Sequence, residues 1–126
     1  MSYPTDLRYT NDHEWLRVGA TCVVGITQFA VDQLGDITLV DLPKEGDLVT
    51  KGQRFGTVES VKSVSDLYAP VSGRVTAVNS ALKDVPEDVN TEPYGKGWMM
   101  ELEPTEKTEI DELMSPEDYT AHVAAQ

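Results

Sequence analysis

The stretch that decides the fold reads Glu59-Ser60-Val61-Lys62-Ser63-Val64-Ser65-Asp66-Leu67-Tyr68-Ala69-Pro70-Val71-Ser72-Gly73. The runs on either side of Lys62, residues 53–61 and 64–69, alternate and contain β-branched and aromatic residues, which predicts two paired strands. Lys62 then lies at the tip of a hairpin. An amine at a hairpin tip is well presented for amide formation with a carboxylic cofactor.

Turn signals lie on both sides of this hairpin. Residues 46–53 and 69–75 each contain a turn followed by a strand pattern. The short turns at Gly46, Gly52 and Ser72-Gly73 suit antiparallel neighbours, because a parallel pair needs a long crossover. Lys62 is therefore placed between two similar half-units. This arrangement resembles the biotinyl/lipoyl carrier domains, which are flattened β-barrels that display one modified lysine on a hairpin.

Length and charge limit the possible functions. The chain has 126 residues, of which 40% are hydrophobic, so it fits one domain without room for a separate catalytic domain. We expect a single domain over 1–126, with core hairpins over about 8–102 and a C-terminal helical segment over about 105–125. The 22 acidic and 10 basic residues give a net charge of −12. This charge argues against nucleic acid as a partner and favours a basic or amphipathic partner surface.

The sequence carries no membrane or export signal that we recognise. No apolar run approaches the roughly 18 residues of a membrane span, and residues 1–6 lack the basic flank and apolar stretch of a secretory signal. If the chain is the whole gene product, we expect a cytoplasmic, bacterial protein without a membrane partner.

Cys22 is the only cysteine, which excludes an internal disulfide and a zinc site built from several thiolates. Its neighbours Thr21, Val23 and Val24 indicate an inert thiol on a buried strand. One rival function is a small hydrolase that pairs Cys22 with His13 or His122. That hypothesis lacks a third orienting group and a glycine-rich nucleophile turn. We predict no metal site.

The N-terminal quarter predicts a hairpin followed by a short helix. Arg8-Tyr9 with residues 13–18 forms one predicted strand and residues 21–26 form the other, joined at Gly19-Ala20. Within His13-Glu14-Trp15, the residues alone favour a packed Trp15 with His13 and Glu14 facing water. Thr27 is a candidate cap for a helix over 28–34 that ends at Gly35. We expect its buried stripe to consist of Phe29, Ala30 and Leu34, with Val31 partly covered.

The rest of the chain predicts strands and then helices. Strands are expected over 36–43, 71–78 and 98–102, the last with Trp98, Met100 and Leu102 on one face, while 79–90 is expected to be mostly loop. Thr105 or Thr108 is expected to cap one helix, and Ser115 with Pro116 begins a second that buries Tyr119 and Val123.

These elements together predict a mainly β fold with some α-helix. We expect a biotinyl/lipoyl-like flattened barrel-sandwich hybrid with antiparallel strands, one short inserted helix and helices at the C-terminus.

Residues outside the hairpin identify a particular carrier family. Biotin domains flank their lysine with methionines, whereas Val61 and Ser63 stand here, and the lipoyl domains of 2-oxoacid dehydrogenases usually show Asp-Lys-Ala. Over nearly its whole length the sequence resembles the H proteins of glycine cleavage systems. The matching motifs are His13-Glu14-Trp15; Gly25-Ile26-Thr27 with Ala30 and Leu34-Gly35-Asp36; Val40-Asp41-Leu42-Pro43; Glu59-Ser60-Val61-Lys62 with Ser65-Asp66 and Tyr68-Ala69-Pro70-Val71-Ser72-Gly73; Val89-Asn90 with Glu92-Pro93-Tyr94; and Gly97-Trp98.

The resemblance implies that Lys62 carries lipoic acid in amide linkage. Its hairpin context is formed by Glu59, Ser60, Val61, Ser63 and Asp66, of which Glu59 and Ser60 are expected to help the lipoylating enzyme recognise the hairpin. Summed bond lengths give the lysine and lipoyl group together a reach of about 14 Å.

The same resemblance implies a carrier without catalytic activity of its own. Its partners are a pyridoxal-phosphate glycine decarboxylase, a folate-dependent aminomethyltransferase, dihydrolipoyl dehydrogenase and the lipoylating enzyme. Glu14 and Asp66 are implied to accept hydrogen bonds from the aminomethyl cation on the loaded arm. An alternative that retains every feature of Lys62 is a carrier that relays lipoate to other enzymes.

The sequence departs from the family pattern at three positions. Phe29 stands where many members have a histidine, Gln33 where some have a second histidine, and Ser63 where alanine usually follows the lysine. None of the three alters the attachment amine.

Overall fold

The computed structural model describes residues 3–126. Met1 and Ser2 lie outside the described residues. Both belong to the predicted domain and to the N-terminal stretch without export features. The strands are β1 Arg8–Tyr9, β2 Glu14–Arg17, β3 Cys22–Ile26, β4 Ile37–Asp41, β5 Leu48–Val49, β6 Arg54–Ser60, β7 Val64–Tyr68, β8 Gly73–Val78 and β9 Met100–Pro104. The helices are α1 Gln28–Leu34, α2 Asp88–Thr91, α3 Thr108–Asp111 and α4 Pro116–Ala124, with a 3₁₀ turn at Ser80–Lys83.

The strands form two sheets. The larger has the order β1-β2-β3-β9-β8-β5 and the smaller the order β4-β6-β7. The pairings within both sheets are antiparallel, as the short turns predict. The predicted mainly β class, with one inserted helix and C-terminal helices, is confirmed. Within residues 3–126 the sheets form an open sandwich and do not close into a barrel.

Two apolar clusters hold the fold together. The main cluster lies between the sheets and contains Val24, Val58, Val75 and Leu102, each fully buried. The second is aromatic and unites Tyr3, Tyr9, Trp15 and Tyr119. In it the rings of Tyr9 and Tyr119 stack with centroids 4.5 Å apart, which attaches α4 to β1. One folding unit over 1–126 remains a prediction.

Helix α1 begins and ends as predicted but buries a different face. The Thr27 side chain accepts a hydrogen bond from the amide of Ala30, and Gly35 ends the helix with a φ of 79°. Val31 is the buried residue, whereas Phe29, Ala30 and Leu34 are half-buried. The predicted stripe is therefore wrong, because α1 lies at the border of a cleft and those three side chains line it.

Two predictions near the C-terminus are wrong. Strand β9 begins at Met100, so Trp98 does not share its core face and packs with the aromatic cluster. Helix α3 has Lys107 at its N-cap and no side-chain cap, so neither Thr105 nor Thr108 caps it.

The prediction for α4 is confirmed at its start. The Ser115 hydroxyl accepts from the amide of Asp118, Pro116 opens the helix and Tyr119 is buried, while Val123 is half-buried. The expected loop over 79–90 contains the 3₁₀ turn and the start of α2.

We predict that Gly25→Ala destabilises the fold by about 1–3 kcal/mol, because overpacking a rigid site has that cost. Gly25 pairs with Trp15 across β2 and β3, and a Cβ there would lie 2.5 Å from Trp15 Cζ2. The indole has little freedom to move, since it is fully buried and its Nε1 donates to the carbonyl of Pro93 at 3.1 Å. Urea unfolding measures the change. Leu48→Ala, at a side chain that is 76% exposed, should stay within about 0.5 kcal/mol of the starting protein.

Candidate functional site

The tip of the β6–β7 hairpin presents Lys62 to solvent, as predicted. The Ser60 amide donates to the Ser63 carbonyl at 2.8 Å, and the Ser60 hydroxyl accepts from the amides of Lys62 and Ser63, both at 3.2 Å. Val61, Lys62 and Ser63 are all exposed, whereas Glu59 is half-buried on β6. The Ser60 side chain therefore fixes the backbone of the turn and leaves the lysine side chain free.

The tip rests on the end of α1. The Val61 amide donates to the Asp36 carbonyl at 3.0 Å, and the Lys62 side chain lies over Gly35. A Cβ on Gly35 would lie 3.4 Å from Lys62 Cε. That spacing is an ordinary van der Waals contact, so it is the positive φ ending the helix that favours glycine here.

Asn90 fixes the segment beneath the lysine. Its Nδ2 donates to the Gly35 carbonyl at 2.9 Å, and its Oδ1 accepts from the Ile37 amide at 2.8 Å. Asn90 belongs to the Val89-Asn90 motif, for which the sequence indicates no role. No local pattern could have assigned this role, because the bonded residues lie more than 50 positions away.

A cleft of about 360 Å³ opens beside the hairpin. Its walls come from α1, β7 and the turn before β2, and they include both predicted arm contacts, Glu14 and Asp66, together with Phe29 and Gln33. Asp66 lies four residues beyond Lys62, which is about 13 Å along a strand. This length matches the reach of about 14 Å for a lipoylated lysine. Phe29 and Gln33, the two positions in α1 where the sequence departs from the family pattern, line the same cleft.

Glu14 is buried, so the prediction that it faces water is wrong. Its side chain is 2% exposed. Oε1 accepts from the Thr10 hydroxyl at 2.6 Å and Oε2 from the Tyr68 amide at 3.3 Å. Burial raises the pKa of the Glu14 carboxyl to about 7, against the lowering effect of these hydrogen bonds. Glu14 can therefore change its protonation state near neutral pH.

Asp66 is the more exposed of the two carboxylates. Its side chain is 46% exposed and lies 3.7 Å from the Arg54 guanidinium, and the Tyr68 hydroxyl donates to it at 3.5 Å. The cleft therefore places one buried acid and one solvated acid along its length.

His13 is half-buried and is not the water-facing residue that the sequence predicts. It has a φ of 69°, and its Nδ1 lies 2.8 Å from the Tyr119 hydroxyl, which lies 2.7 Å from the Thr27 hydroxyl. Burial lowers the pKa of the His13 imidazole, and the neighbouring His122 acts in the same direction. This chain of contacts connects α4 to the cap of α1, and therefore to one wall of the cleft.

The rival hydrolase site has no structural support. Cys22 belongs to the main core cluster and is 1% exposed, and burial raises the pKa of its thiol. His13 instead packs on Phe29, with ring centroids 4.6 Å apart. Among the described residues, no three His, Cys, Asp or Glu side chains are grouped to hold a metal. In residues 3–126, no helix combines the length and apolar character that crossing a membrane requires.

Residues 7–126 match the family model described as glycine cleavage H-protein. The chain belongs to the glycine cleavage H-protein family. This finding confirms the resemblance inferred from the motifs.

Individual members show how far the similarity extends. A probable glycine cleavage system H protein from Haloarcula marismortui is 57% identical over 117 residues, which cover 92% of each chain. A glycine cleavage system H protein from Listeria monocytogenes is 53% identical over 120 residues, which cover 94% of this chain and 96% of the relative. The crystal structure of the Mycobacterium marinum H protein superimposes with a TM-score of 0.90 at 40% identity, covering 97% of this chain and 99% of that one.

We predict that Glu14→Gln changes the pH dependence of stability. The pKa of Glu14 is about 7 in the folded protein against a usual value of 4.5, so between these values the folded chain binds more protons than the unfolded chain. The stabilising contribution of this carboxyl is therefore fully present below pH 4.5 and is lost as the pH rises through about 7.

The measurement is urea unfolding at several pH values. Relative to the starting protein, the free energy of unfolding of Glu14→Gln should rise by about 2 kcal/mol between pH 5.5 and pH 8.5. The hydrogen bonds lost from Thr10 and Tyr68 add an offset that does not depend on pH. A difference that stays constant over this range would contradict a raised pKa. Asp84→Asn, at an exposed carboxylate, serves as the control.

Proposed function

We propose that this chain is the lipoyl carrier of a glycine cleavage system, with lipoic acid attached to Lys62 as an amide. The observation that carries the proposal is the position of Lys62, exposed at a rigid hairpin tip beside a cleft that contains Glu14 and Asp66. Membership of the glycine cleavage H-protein family supports it.

The residues around Lys62 fit the attached group. The Lys62 side chain is exposed and lies over Gly35, and the cleft begins within the reach of the extended arm. When bound, the lipoyl group supplies a reducible disulfide that can carry a one-carbon unit. The protein contributes reach and protection, while the bond-making steps belong to cofactors on other proteins.

The cleft residues would hold the arm in two ways. Ile26, Leu34 and Leu67 contribute apolar walls that exclude water. Glu14 and Asp66 present carboxylate oxygens to a cationic amine on the arm. A cation beside Glu14 would favour its ionised form and offset the effect of burial on its pKa.

The carrier would meet four partners in the course of its work. These are a pyridoxal-phosphate glycine decarboxylase, a folate-dependent aminomethyltransferase, dihydrolipoyl dehydrogenase and the lipoylating enzyme. The hairpin residues Glu59, Ser60, Val61 and Ser63 surround Lys62 and would be read by the lipoylating enzyme. We place the protein in the cytoplasm, where these enzymes would be available. A glycine-exchange assay with the partner enzymes distinguishes this role from a relay that delivers lipoate elsewhere.

We expect Lys62→Arg to keep the fold and lose carrier activity. The side chain is exposed, so the free energy of unfolding should change by less than about 0.5 kcal/mol, whereas the guanidinium cannot form the amide. Intact-protein and peptide mass spectrometry after lipoylation provide the measurement, with Lys51→Arg and Lys96→Arg as controls. A lipoyl adduct on Lys51 or Lys96, or an active Lys62→Arg variant, would refute the assignment.

We expect Glu14→Gln and Asp66→Asn to speed the spontaneous loss of ammonia from the loaded arm by different amounts. A hydrogen bond from the cationic amine to the buried Glu14 is worth roughly 1.5–3 kcal/mol, so its loss should raise the rate by about tenfold or more. Asp66 is half-exposed and already near Arg54, so its replacement should raise the rate by at most about fivefold.

The assay measures ammonia released over time from the loaded carrier, with Asp84→Asn as the control. Lipoylation and reduction of the free disulfide should remain nearly unchanged in both variants, because the unloaded arm carries no cation. Equal release rates for the starting protein and both variants would show that the cleft holds the arm by apolar contact alone.

A further inference from the structure

The solvent face of the small sheet has, next to Lys62, a row in which two exposed apolar side chains, Leu39 and Val64, flank Glu59. We call it the apolar row. Register places Leu39 of β4 opposite Glu59 of β6, and Glu59 opposite Val64 of β7. Leu39 is 48% exposed and Val64 is 62% exposed, and Val61 at the tip is 67% exposed. The other face of the same strands is buried in the main cluster. A solvated sheet face normally carries polar side chains, so this row requires an explanation.

Packing within the chain does not explain the row. Leu39 and Val64 lie on strands two positions apart, about 10 Å from each other, with Glu59 between them. Each therefore leaves much of its surface in water. The exposed Leu48 and Val18 lie away from this sheet, on β5 and next to the β2–β3 turn, where single exposed apolar residues are ordinary.

Acidic groups border the apolar row. The next row on the same face, two residues along the strands, is Asp41, Thr57 and Asp66. Asp41, Asp66 and Glu59 therefore give this face three carboxylates. The Arg54 guanidinium lies against Asp66, and Lys62 stands at the tip. A partner that covers the face therefore needs an apolar seat with basic side chains around it.

The length of the Lys62 side chain determines how closely a partner must approach the small sheet. An unmodified lysine reaches about 6 Å from its Cα, whereas the lipoylated arm reaches about 14 Å. Val64 lies two residues from Lys62, at about 7 Å. An enzyme that reacts with the bare amine must therefore come close to Val64, where the Leu39–Glu59–Val64 row begins, while enzymes that use the finished arm can remain further away.

We propose that the Leu39–Glu59–Val64 row, together with Val61, is the docking surface for the enzyme that attaches lipoate, and that this enzyme offers an apolar seat flanked by basic side chains. The inference rests on the proposed modification of Lys62. In that step the Lys62 Nζ forms a bond to the acyl carbon of an activated lipoyl group, the acyl bond to its leaving group breaks, and the amine proton passes to solvent.

The test is lipoylation of the unmodified full chain by a purified lipoate ligase with lipoic acid and ATP, followed by mass spectrometry. Leu39→Thr and Val64→Thr remove apolar surface and place at each position a β-branched residue of the kind that strands favour. Each should raise the KM for the carrier about fivefold, which corresponds to about 1 kcal/mol, without a change in kcat. Leu48→Thr is the matched control and should behave as the starting protein. Glu59→Gln should weaken the dependence of KM on salt.

The outcomes separate this inference from the proposed function. If the starting protein is not lipoylated at Lys62, the proposed function is wrong. If it is lipoylated but Leu39→Thr and Val64→Thr match Leu48→Thr in KM, the docking surface is wrong and the carrier role stands. Unchanged thermal unfolding midpoints show that the variants fold.

A second measurement tests whether the surface belongs to the attaching enzyme in particular. Variants that are fully lipoylated by prolonged incubation are reduced and then supplied to dihydrolipoyl dehydrogenase. We expect each variant to be reoxidised with the same KM as the starting protein. An equal rise in KM for the dehydrogenase would overturn the assignment to the attaching enzyme.

Discussion

The hydrogen bond from the Val61 amide to the Asp36 carbonyl is the contact on which the placement of Lys62 depends. A two-stranded ribbon is marginally stable alone, so its tip would move freely without support. This bond joins the tip to the residue that follows the end of α1, and Asn90 fixes the backbone on either side of that residue. Hydrogen bonds therefore join the root of the lysine to one wall of the cleft. Only the side chain itself remains free to swing.

Two requirements conflict at Glu14: the cleft must exclude water, and the Glu14 carboxylate must be able to carry a charge. Burial excludes water from the space beside the arm, but it also disfavours the charged carboxylate. The Thr10 hydroxyl and the Tyr68 amide compensate in part, and the pKa of Glu14 remains raised to about 7. A cation that enters the cleft would favour the charged form. The C-terminal helix supports this arrangement, because Tyr119 lies within hydrogen-bonding distance of both His13 and Thr27.

Signals carried by neighbouring residues were sufficient for much of the fold. The hairpin around Lys62 and the end of α1 at Gly35 follow from short-range backbone preferences, and so does the start of α4 at Ser115. The antiparallel sheets follow because short turns allow no crossover. Motifs spread along the chain identified the family and brought Glu14 and Asp66 together as candidates, although their positions on one cleft could be seen only in the folded chain.

What the sequence by itself determined is therefore the order of the main elements, the ends of α1, the start of α4, and the exposed amine. Tertiary structure decided which side chains meet. Glu14 has the sequence context of a polar residue on a half-exposed strand, but in the folded chain it is buried and hydrogen-bonded to Thr10 and to Tyr68 of β7. Val31 packs into the main cluster, while Phe29, Ala30 and Leu34 on the same helix line the cleft. Leu39 and Val64 become neighbours of Glu59 through strand register, which places residues far apart in sequence within a few ångströms of one another. Local propensity carries no information about such distances, because they arise when separate elements pack.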